Sequence, residues 1–100
     1  MPRPYSNVVA YSHTATDDNQ FRIVNTDLWL SNANIHIVTN DAYYGDVNLQ
    51  IATASASDIL VFEDFNLADL YFKNKVAGNN TTIYIVGIVM PKKRIAELGV

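Results

Sequence analysis

The segment from residue 81 to residue 90 constrains the fold more than any other part of this chain. It reads Thr-Thr-Ile-Tyr-Ile-Val-Gly-Ile-Val-Met, so a strand formed here would carry apolar side chains on both faces. At the edge of a sheet, a strand of this composition would be a template for aggregation. We therefore expect a central strand, or one that a partner chain covers. Pro91 ends the run because proline cannot donate a ladder hydrogen bond.

A hairpin signal comes immediately before this strand. Residues 70–75 read Leu-Tyr-Phe-Lys-Asn-Lys, and the turn sequence Ala-Gly-Asn-Asn follows at residues 77–80. Gly and Asn between two β-rich runs are the residues that tight hairpin turns prefer. The pattern predicts that the strands on either side of this turn form a hairpin.

Shorter runs with a period of two residues indicate further strands. They lie at residues 7–13, 21–24, 47–51 and 59–62. Residues 28–30 and 34–39 repeat the pattern, and the short segment between them fits either a hairpin or a bulge within one bent strand. In both cases the side chains expected to face the core are Leu28, Leu30, Ile35 and Ile37.

Composition limits the chain to one small domain. It has 100 residues, of which 49% are apolar and 17% are charged, enough for one hydrophobic core. We predict an all-β fold, a small antiparallel β-sandwich of jelly-roll type with about 7–8 short strands. The expected divisions are an extended arm at 1–6, the sandwich at 7–90, and a tail at 91–100 in which one or two fraying helical turns can form.

Charge and cysteine content exclude several classes of protein. The net charge is −3 and the seven Lys and Arg are scattered, which disfavours nucleic acid as a partner. The chain has no cysteine, so disulfides and thiolate metal sites are excluded. Residues 1–6 lack the apolar stretch of a signal peptide, and no apolar run could span a bilayer. We expect a cytoplasmic protein with no membrane partner.

Metal and catalytic motifs do not emerge from the sequence. His13 and His36 lie on different predicted strands without a chelating spacing. Residues 17–19 and 41–46 carry carboxylates but not the spaced ligands of a calcium loop. There is no Gly-x-Ser-x-Gly elbow and no glycine-rich phosphate loop. We therefore predict no catalytic residue, no metal and no cofactor, and a protein that is not an enzyme.

Acidic residues leave one enzymatic alternative open. Asp58, Glu63, Asp64 and Asp69 follow one another closely, and paired carboxylates perform acid–base chemistry when a cleft brings them together. A small hydrolase using Glu63 and Asp64 is therefore an alternative. Carboxylates near loops are more often solvated caps and turn formers.

Aromatic residues are the remaining candidates for a binding surface. The possible interaction surface consists of Trp29, Tyr43, Tyr44 and Tyr84. Residues 40–46 are expected to turn at the surface, with the rings of Tyr43 and Tyr44 lying over neighbouring strands. One alternative function is a carbohydrate-binding module that uses these exposed rings. The competing interpretation is that the rings cover a small core.

The stretch from Phe21 to Gly87 resembles a family of small virion proteins of tailed bacteriophages. The similarity lies in Ala-Tyr-Tyr-Gly-Asp at residues 42–46, in Asp-Leu-Tyr-Phe-Lys at 69–73, and in Ala-Gly-Asn-Asn-Thr-Thr-Ile-Tyr-Ile-Val-Gly at 77–87. The family's usual Pro-x-Gly-Glu-like turn is replaced here by Ala-Ser-Ala-Ser-Asp at 54–58.

This resemblance implies a structural role. It implies a non-enzymatic β-sandwich that decorates a phage capsid or associates with a head fibre through protein–protein contacts. The implied partners are further copies of the chain, with a homotrimer favoured, and a capsid or other virion protein. The implied location is the virion, with the host cytoplasm before assembly.

Overall fold

Two antiparallel sheets packed face to face are formed by residues 7–99, the part of the chain that this computed structural model describes. The strands are β1 (Val8–Thr14), β2 (Phe21–Arg22), β3 (Trp29–Ile37), β4 (Ala42–Gly45), β5 (Gln50–Ala54), β6 (Ile59–Asn66), β7 (Tyr71–Asn74) and β8 (Thr82–Val89). A 3₁₀ turn (Leu67–Asp69) separates β6 from β7, and the helix α1 (Lys92–Glu97) follows β8. The predicted all-β antiparallel sandwich with a short C-terminal helix is confirmed. The expected arm at 1–6 lies outside the described residues, and the domain limits at 7–90 and 91–100 stay predictions.

The strand at residues 82–89 is central, as its composition predicts. The first sheet has the order β1-β8-β3-β6, and the second has the order β2-β7-β4-β5. β8 is therefore hydrogen-bonded on both sides, by β1 and by β3. Its backbone offers no free edge to another chain, which removes the aggregation risk at an edge strand.

The core lies between the two sheets and takes one face of each. From the first sheet it receives Ile35, Ile83 and Ile85, all fully buried, and from the second it receives Phe72. Leu30 and Ile37 are also buried and Leu28 is half-buried, so the core-facing set expected from the sequence is confirmed. The other face of β8 is exposed in the single chain.

A bulge in β3 changes which residues face the core. Leu30 pairs with Val89 while Asn32 pairs with Ile88, so Ser31 is an extra residue on β3. The bulge alternative is therefore correct, and residues 28–39 do not form a hairpin. Gly87 lies beside this bulge, where an added Cβ would stand 3.0 Å from the Asn32 carbonyl oxygen. Close backbone approach explains a glycine inside an otherwise apolar strand.

The predicted hairpin around residues 77–80 is wrong. β7 and β8 lie in different sheets, so this connection crosses from one sheet to the other. Gly78 has the positive φ of 82° that its turn requires. Asn74 at the end of β7 accepts a hydrogen bond through its side-chain oxygen from the Thr81 amide, at 3.0 Å, which fixes the crossing. Gly and Asn do form a turn here, but turn residues alone do not decide whether the flanking strands pair.

The consecutive strands that do pair in a hairpin are β4 and β5. Residues 42–45, expected as a surface turn, form β4, and the strand expected at 47–51 is displaced to Gln50–Ala54. Asp46 explains the displacement, because its Oδ1 accepts hydrogen bonds from the amides of Asn48 and Leu49 and so closes a turn there. Val47, Leu49 and Ile51 are exposed, although their alternation is that of a buried strand face.

Substitutions on the two faces of β8 test which face belongs to the core. Ile85 is 0% exposed and Ile88 is 38% exposed. We expect Ile85→Ala to lower the free energy of unfolding by about 2–5 kcal/mol, because it leaves a cavity. Ile88→Ala should cost less than about 1 kcal/mol. Urea unfolding at low micromolar protein measures both, and equal costs would show that the orientation of β8 is wrong.

Candidate ligand-binding cup

An open cavity, called the cup below, lies at the end of the sandwich where β3 begins and β6 ends. Its volume is about 360 Å³, near the small end of the roughly 300–1,000 Å³ that ligand sites span. The residues that line it are Trp29, Phe62, Asp64, Phe65, Asn66, Asp69 and Leu70. Three aromatic rings and one leucine thus provide its apolar wall, and two carboxylates and one amide provide its polar groups.

The aromatic wall is held from behind by packing within the sandwich. The ring centroids of Phe62 and Phe65 are 5.3 Å apart, and the Tyr44 ring meets Phe62 edge-on at 6.1 Å. Tyr44 comes from the second sheet, so its contact joins the two sheets behind the cup. These ring contacts pack Phe62 and Phe65 against each other and against the second sheet.

The buried amide of Asn66 fixes the backbone on one side of the cup. Its Oδ1 accepts hydrogen bonds from the amides of Leu28, at 3.0 Å, and Ala68, at 3.1 Å. Its Nδ2 donates to Asp27 Oδ1 at 3.0 Å. The bond from the Leu28 amide fixes the segment that leads into β3, and the bond from the Ala68 amide caps the 3₁₀ turn. Because these bonds engage both ends of the amide, Asn66 acts here as a structural group.

Two carboxylates stand at the rim of the cup. Asp64 has a positive φ of 49°, and its Oδ2 accepts a hydrogen bond from Arg94 Nη2 at 3.0 Å. This ion pair ties α1 to the rim, and its side chains are 39% and 44% exposed, so it contributes roughly 0–1 kcal/mol. Asp69 is exposed at the end of the 3₁₀ turn. The rim is therefore acidic, with one carboxylate partly neutralised by Arg94.

A polar network lies around the crossing from β7 to β8. Asn74, 5% exposed, donates through Nδ2 to the Asp17 carbonyl, to Asp18 Oδ1 and to Asn80 Oδ1, at 3.0–3.1 Å. Asp18 Oδ1 also accepts from the Gly78 amide at 2.8 Å. These bonds join the loop after β1 to the turn before β8. The small cavity beside them has a volume of about 140 Å³, below the usual size of a ligand site.

The pKa of Asp18 is lowered from its ordinary value of 3.8 by this network. The larger cause is the hydrogen bond from the Gly78 amide, and the second is the bond from the Asn74 side chain. Both donors favour the ionised carboxylate.

The four aromatic residues proposed from the sequence lie in four different places. Trp29 lines the cup, and Tyr44 packs behind it inside the sandwich. Tyr43 lies on the outer face of the second sheet, with Lys73 Nζ 6.0 Å from its ring centroid. Tyr84 lies on the outer face of the first sheet and is half exposed. They do not form one interaction surface.

The acidic residues and histidines considered for chemistry are also dispersed. Glu63 pairs with Asn32 on the outer face of the first sheet, whereas Asp64 lies at the rim of the cup. His13 packs against Phe21, with ring centroids 4.6 Å apart, and His36 lies on β3. Across residues 7–99, no three His, Asp or Glu side chains come together as a metal site would require.

Two of the candidate calcium carboxylates accept backbone hydrogen bonds. Asp17 Oδ1 accepts from the Asn19 amide at 2.9 Å, the usual role of Asp in a turn. Asp41 Oδ1 accepts from the Ala56 amide at 2.8 Å, which joins the start of β4 to the turn after β5.

Sequence reasoning missed most of the cup. Phe62 and Phe65 are three residues apart, a spacing that puts them on opposite faces of a regular strand. The positive φ of Asp64 between them interrupts the alternation, so both rings reach the core side. The Asp-Phe-Asn sequence at residues 64–66 is the one local signal of that irregularity, since Asp and Asn tolerate positive φ.

Comparison with known proteins gives evidence of fold. No family model matches the chain, and no curated protein does. The fold is similar to that of an RmlC-like cupin family protein with a double-stranded β-helix fold from Methanocaldococcus jannaschii. The TM-score is 0.61 at 11% identity, over 88% of this chain and 75% of that chain. It is also similar to a cupin superfamily protein from Desulfitobacterium hafniense DCB-2, with a TM-score of 0.54 at 8% identity, over 90% and 84% of the two chains.

These neighbours show a cupin-like β-sandwich and correct the resemblance drawn from the sequence. The assignment to tailed-phage virion proteins is wrong, and with it the function as a capsid-decorating or fibre-associated protein. The matched motifs were turn and strand sequences, such as those at residues 77–87, which many β-proteins can share. The virion and the host cytoplasm stay predictions for the location, the former without the resemblance on which it depended. Within residues 7–99, no helix is long and apolar enough to cross a membrane.

The acid sensitivity of the network around Asn74 provides a test. Because the folded pKa of Asp18 is depressed, its ionised form stabilises the fold above the unfolded pKa of about 3.8. That stability is lost as the pH falls through the folded pKa. We expect Asp18→Asn to be less stable than the parent protein at pH 7, and the difference to shrink below about pH 4.

Urea unfolding from pH 7 to pH 2.5 measures this difference, with the exposed Glu97→Gln as the control. A stability difference for Asp18→Asn that stays constant over the whole range would contradict the assignment.

Proposed function

We propose that this chain is a non-enzymatic ligand-binding domain whose cup takes a small molecule with an aromatic or other flat apolar body and a cationic amine. The observation that carries the proposal is the combination of an aromatic wall with carboxylates confined to the rim. An apolar body would lie against Trp29, Phe62 and Phe65, and a positive group would face the rim.

The aromatic wall favours a ring over a flexible chain. Stacked and edge-to-face ring contacts contribute about 0.5–1.5 kcal/mol beyond the area that they bury. Trp29 is half-buried at the start of β3, so one part of its indole is available to a ligand. An indole face also attracts cations. A ring bearing an amine would therefore use both properties of this wall.

The rim determines the charge of the ligand. Asp64 is already paired with Arg94, whereas Asp69 is exposed at the end of the 3₁₀ turn. An ammonium group near Asp69 would gain a charge-assisted hydrogen bond, while a carboxylate would be repelled. The geometry thus supports amines over acids.

The position of the cup supports binding. Open ends of β-sandwiches and barrels are common places for ligand sites. The hydrolase alternative has little support, because Glu63 is not part of the lining and faces the outside of the sheet beside Asn32. We therefore propose binding without catalysis.

Trp29 allows a direct test because it is the only tryptophan of the chain. Titration with 2-phenylethylamine, which does not absorb at 295 nm, should change the Trp29 emission in a saturable way. A ligand of this size filling the cup should reach a Kd of about 1 mM or lower. The acid 3-phenylpropionate, which carries a carboxylate on the same phenylethyl group, should produce no saturable change, because its carboxylate meets the acidic rim.

Variants assign the effect to the rim. Asp69→Asn should weaken 2-phenylethylamine binding about five-fold, corresponding to about 1 kcal/mol for one charge-assisted bond. Glu97→Gln, which removes an exposed carboxylate outside the lining, should bind as the parent protein does. Equal binding of the amine and the acid would refute the charge preference. No saturable response to either would refute the cup as a ligand site.

A further inference from the structure

Large apolar side chains cover the outer face of the first sheet. They are Val8, Val61, Ile59, Tyr84, Val86 and Ile88, and each is 38–64% exposed. Their strands are paired in register, so these six side chains share one face and do not lie scattered over the surface. Contiguous apolar patches of this kind mark interaction sites in soluble proteins.

The register resolves this face into three rows across the strands β1, β8, β3 and β6. The rows are Val8–Ile88–Asn32–Glu63, Ala10–Val86–Asn34–Val61 and Ser12–Tyr84–His36–Ile59. Each strand contributes one column of three residues. The columns of β1, β8 and β6 are mainly apolar, whereas the column of β3, which consists of Asn32, Asn34 and His36, is polar. The face carries one carboxylate, Glu63 at a corner, and no lysine or arginine at these twelve positions.

We propose that this face binds a second copy of the same chain, sheet against sheet, to form a twofold dimer. The axis would run across the strands along the middle row, which contains Ala10, Val86, Asn34 and Val61. A rotation of 180° about that axis places each strand of one copy opposite the same strand of the second copy. It also places each outer row opposite the other outer row. Strands of the two copies would cross at the small angle that is usual for aligned sheets packed about 10 Å apart.

The polar column identifies the partner. In this arrangement Asn34 faces the second copy's Asn34, and an amide pair satisfies both members because each has a donor and an acceptor. Asn32 faces the second copy's His36, another donor–acceptor pair. A lipid surface or a wholly apolar partner would leave these three side chains buried without a hydrogen-bond partner, which is unfavourable. In the dimer, the polar side chains of β3 face the polar side chains of the second copy's β3.

In the other three columns, the side chains on and near the axis match apolar to apolar. Val86 and Val61 face their own counterparts, and Ile88 faces the second copy's Tyr84. By the same rotation, Glu63 faces the second copy's Ile59 at the outer edge of the sheet, and Ser12 faces the second copy's Val8. The two Glu63 carboxylates lie in opposite outer rows, so they are not placed against each other. With no basic residue at the twelve register positions, an anionic membrane or nucleic acid has no electrostatic attraction to this face.

The size of the face sets the strength of the dimer. Four strands about 4.8 Å apart and about seven residues long at roughly 3.4 Å per residue span about 19 by 24 Å. If the faces were flat, two of them would bury about 900 Å². The projecting side chains add to this area, which is close to the lower limit of about 1,000 Å² for a specific interface. The dimer is therefore reversible and concentration-dependent.

This symmetry specifies two copies. The same patch serves both partners, so the contact closes after one pairing and cannot generate a ring of three. The trimer favoured from the sequence depended on the phage resemblance, and the face itself supports a dimer. The cup lies at an end of the sandwich, and the dimer therefore does not depend on the proposed ligand.

Sedimentation velocity between 1 and 500 μM measures the association. The parent protein should change from monomer to dimer over this range. Val61→Glu and Val61→Lys should each weaken the association at least ten-fold, because each places like charges together on the axis. An equimolar mixture of the two variants should restore it. Ile51→Glu, on an exposed position of β5 in the second sheet, should associate as the parent does.

Each result decides for or against the proposal. A parent protein that stays monomeric at 500 μM, or forms trimers, would overturn it. So would equal weakening by Ile51→Glu, or failure of the mixture of folded Val61 variants to associate.

Crosslinking provides a second readout in a chain without native cysteine. Asn34→Cys should be joined to its counterpart by a short bismaleimide reagent, whereas Thr53→Cys, exposed on the second sheet, should not. Equal crosslinking of both variants would contradict the twofold arrangement. Circular dichroism verifies that each variant is folded.

Discussion

Burial of one face of β8 is the interaction on which the structure depends. Ile83 and Ile85 are fully buried, and they lie between β1 and β3 at the centre of the first sheet. Burial of apolar side chains contributes about 1.5–3 kcal/mol each, so a strand with two apolar faces gains most when both are covered. The second sheet covers one face of β8. The other face remains open in the single chain, and this asymmetry motivates the proposed dimer.

Irregularity in β3 and β6 gives the sandwich its cup. Ser31 is an extra residue in β3, and Asp64 interrupts the alternation of β6 close to it in space. Bulges bend strands and redirect side chains, and they are frequent beside functional sites. Here the irregularity brings Phe62 and Phe65 to one side, while Asp64 is left at the rim. The position of Asp64 and the apolar wall of the cup thus have one structural origin.

The alternation of apolar and polar residues in short runs predicted the β-sandwich. The apolar side chains on both faces of the strand at residues 82–89 predicted that it is central, because such a strand is unfavourable at a sheet edge. It did not predict pairing, since the Gly-Asn turn at residues 77–80 serves a crossing between sheets as well as it serves a hairpin. Alternation at residues 47–51 was misleading because the Asp46 carboxylate closes a turn there. The cup joins Trp29 to Asp69 across forty residues and depends on two irregularities, so no local pattern could reveal it.

The two proposed surfaces, one for a small amine and one for a second copy, lie on different parts of the fold. Amide NMR spectra distinguish them when protein concentration and 2-phenylethylamine are varied independently. We expect concentration to shift the signals of Tyr84, Val86 and Asn34, and the amine to shift the Trp29 indole and residues 62–70. One common set of shifted signals, or a Trp29 indole signal that follows concentration and ignores the amine, would contradict this expectation.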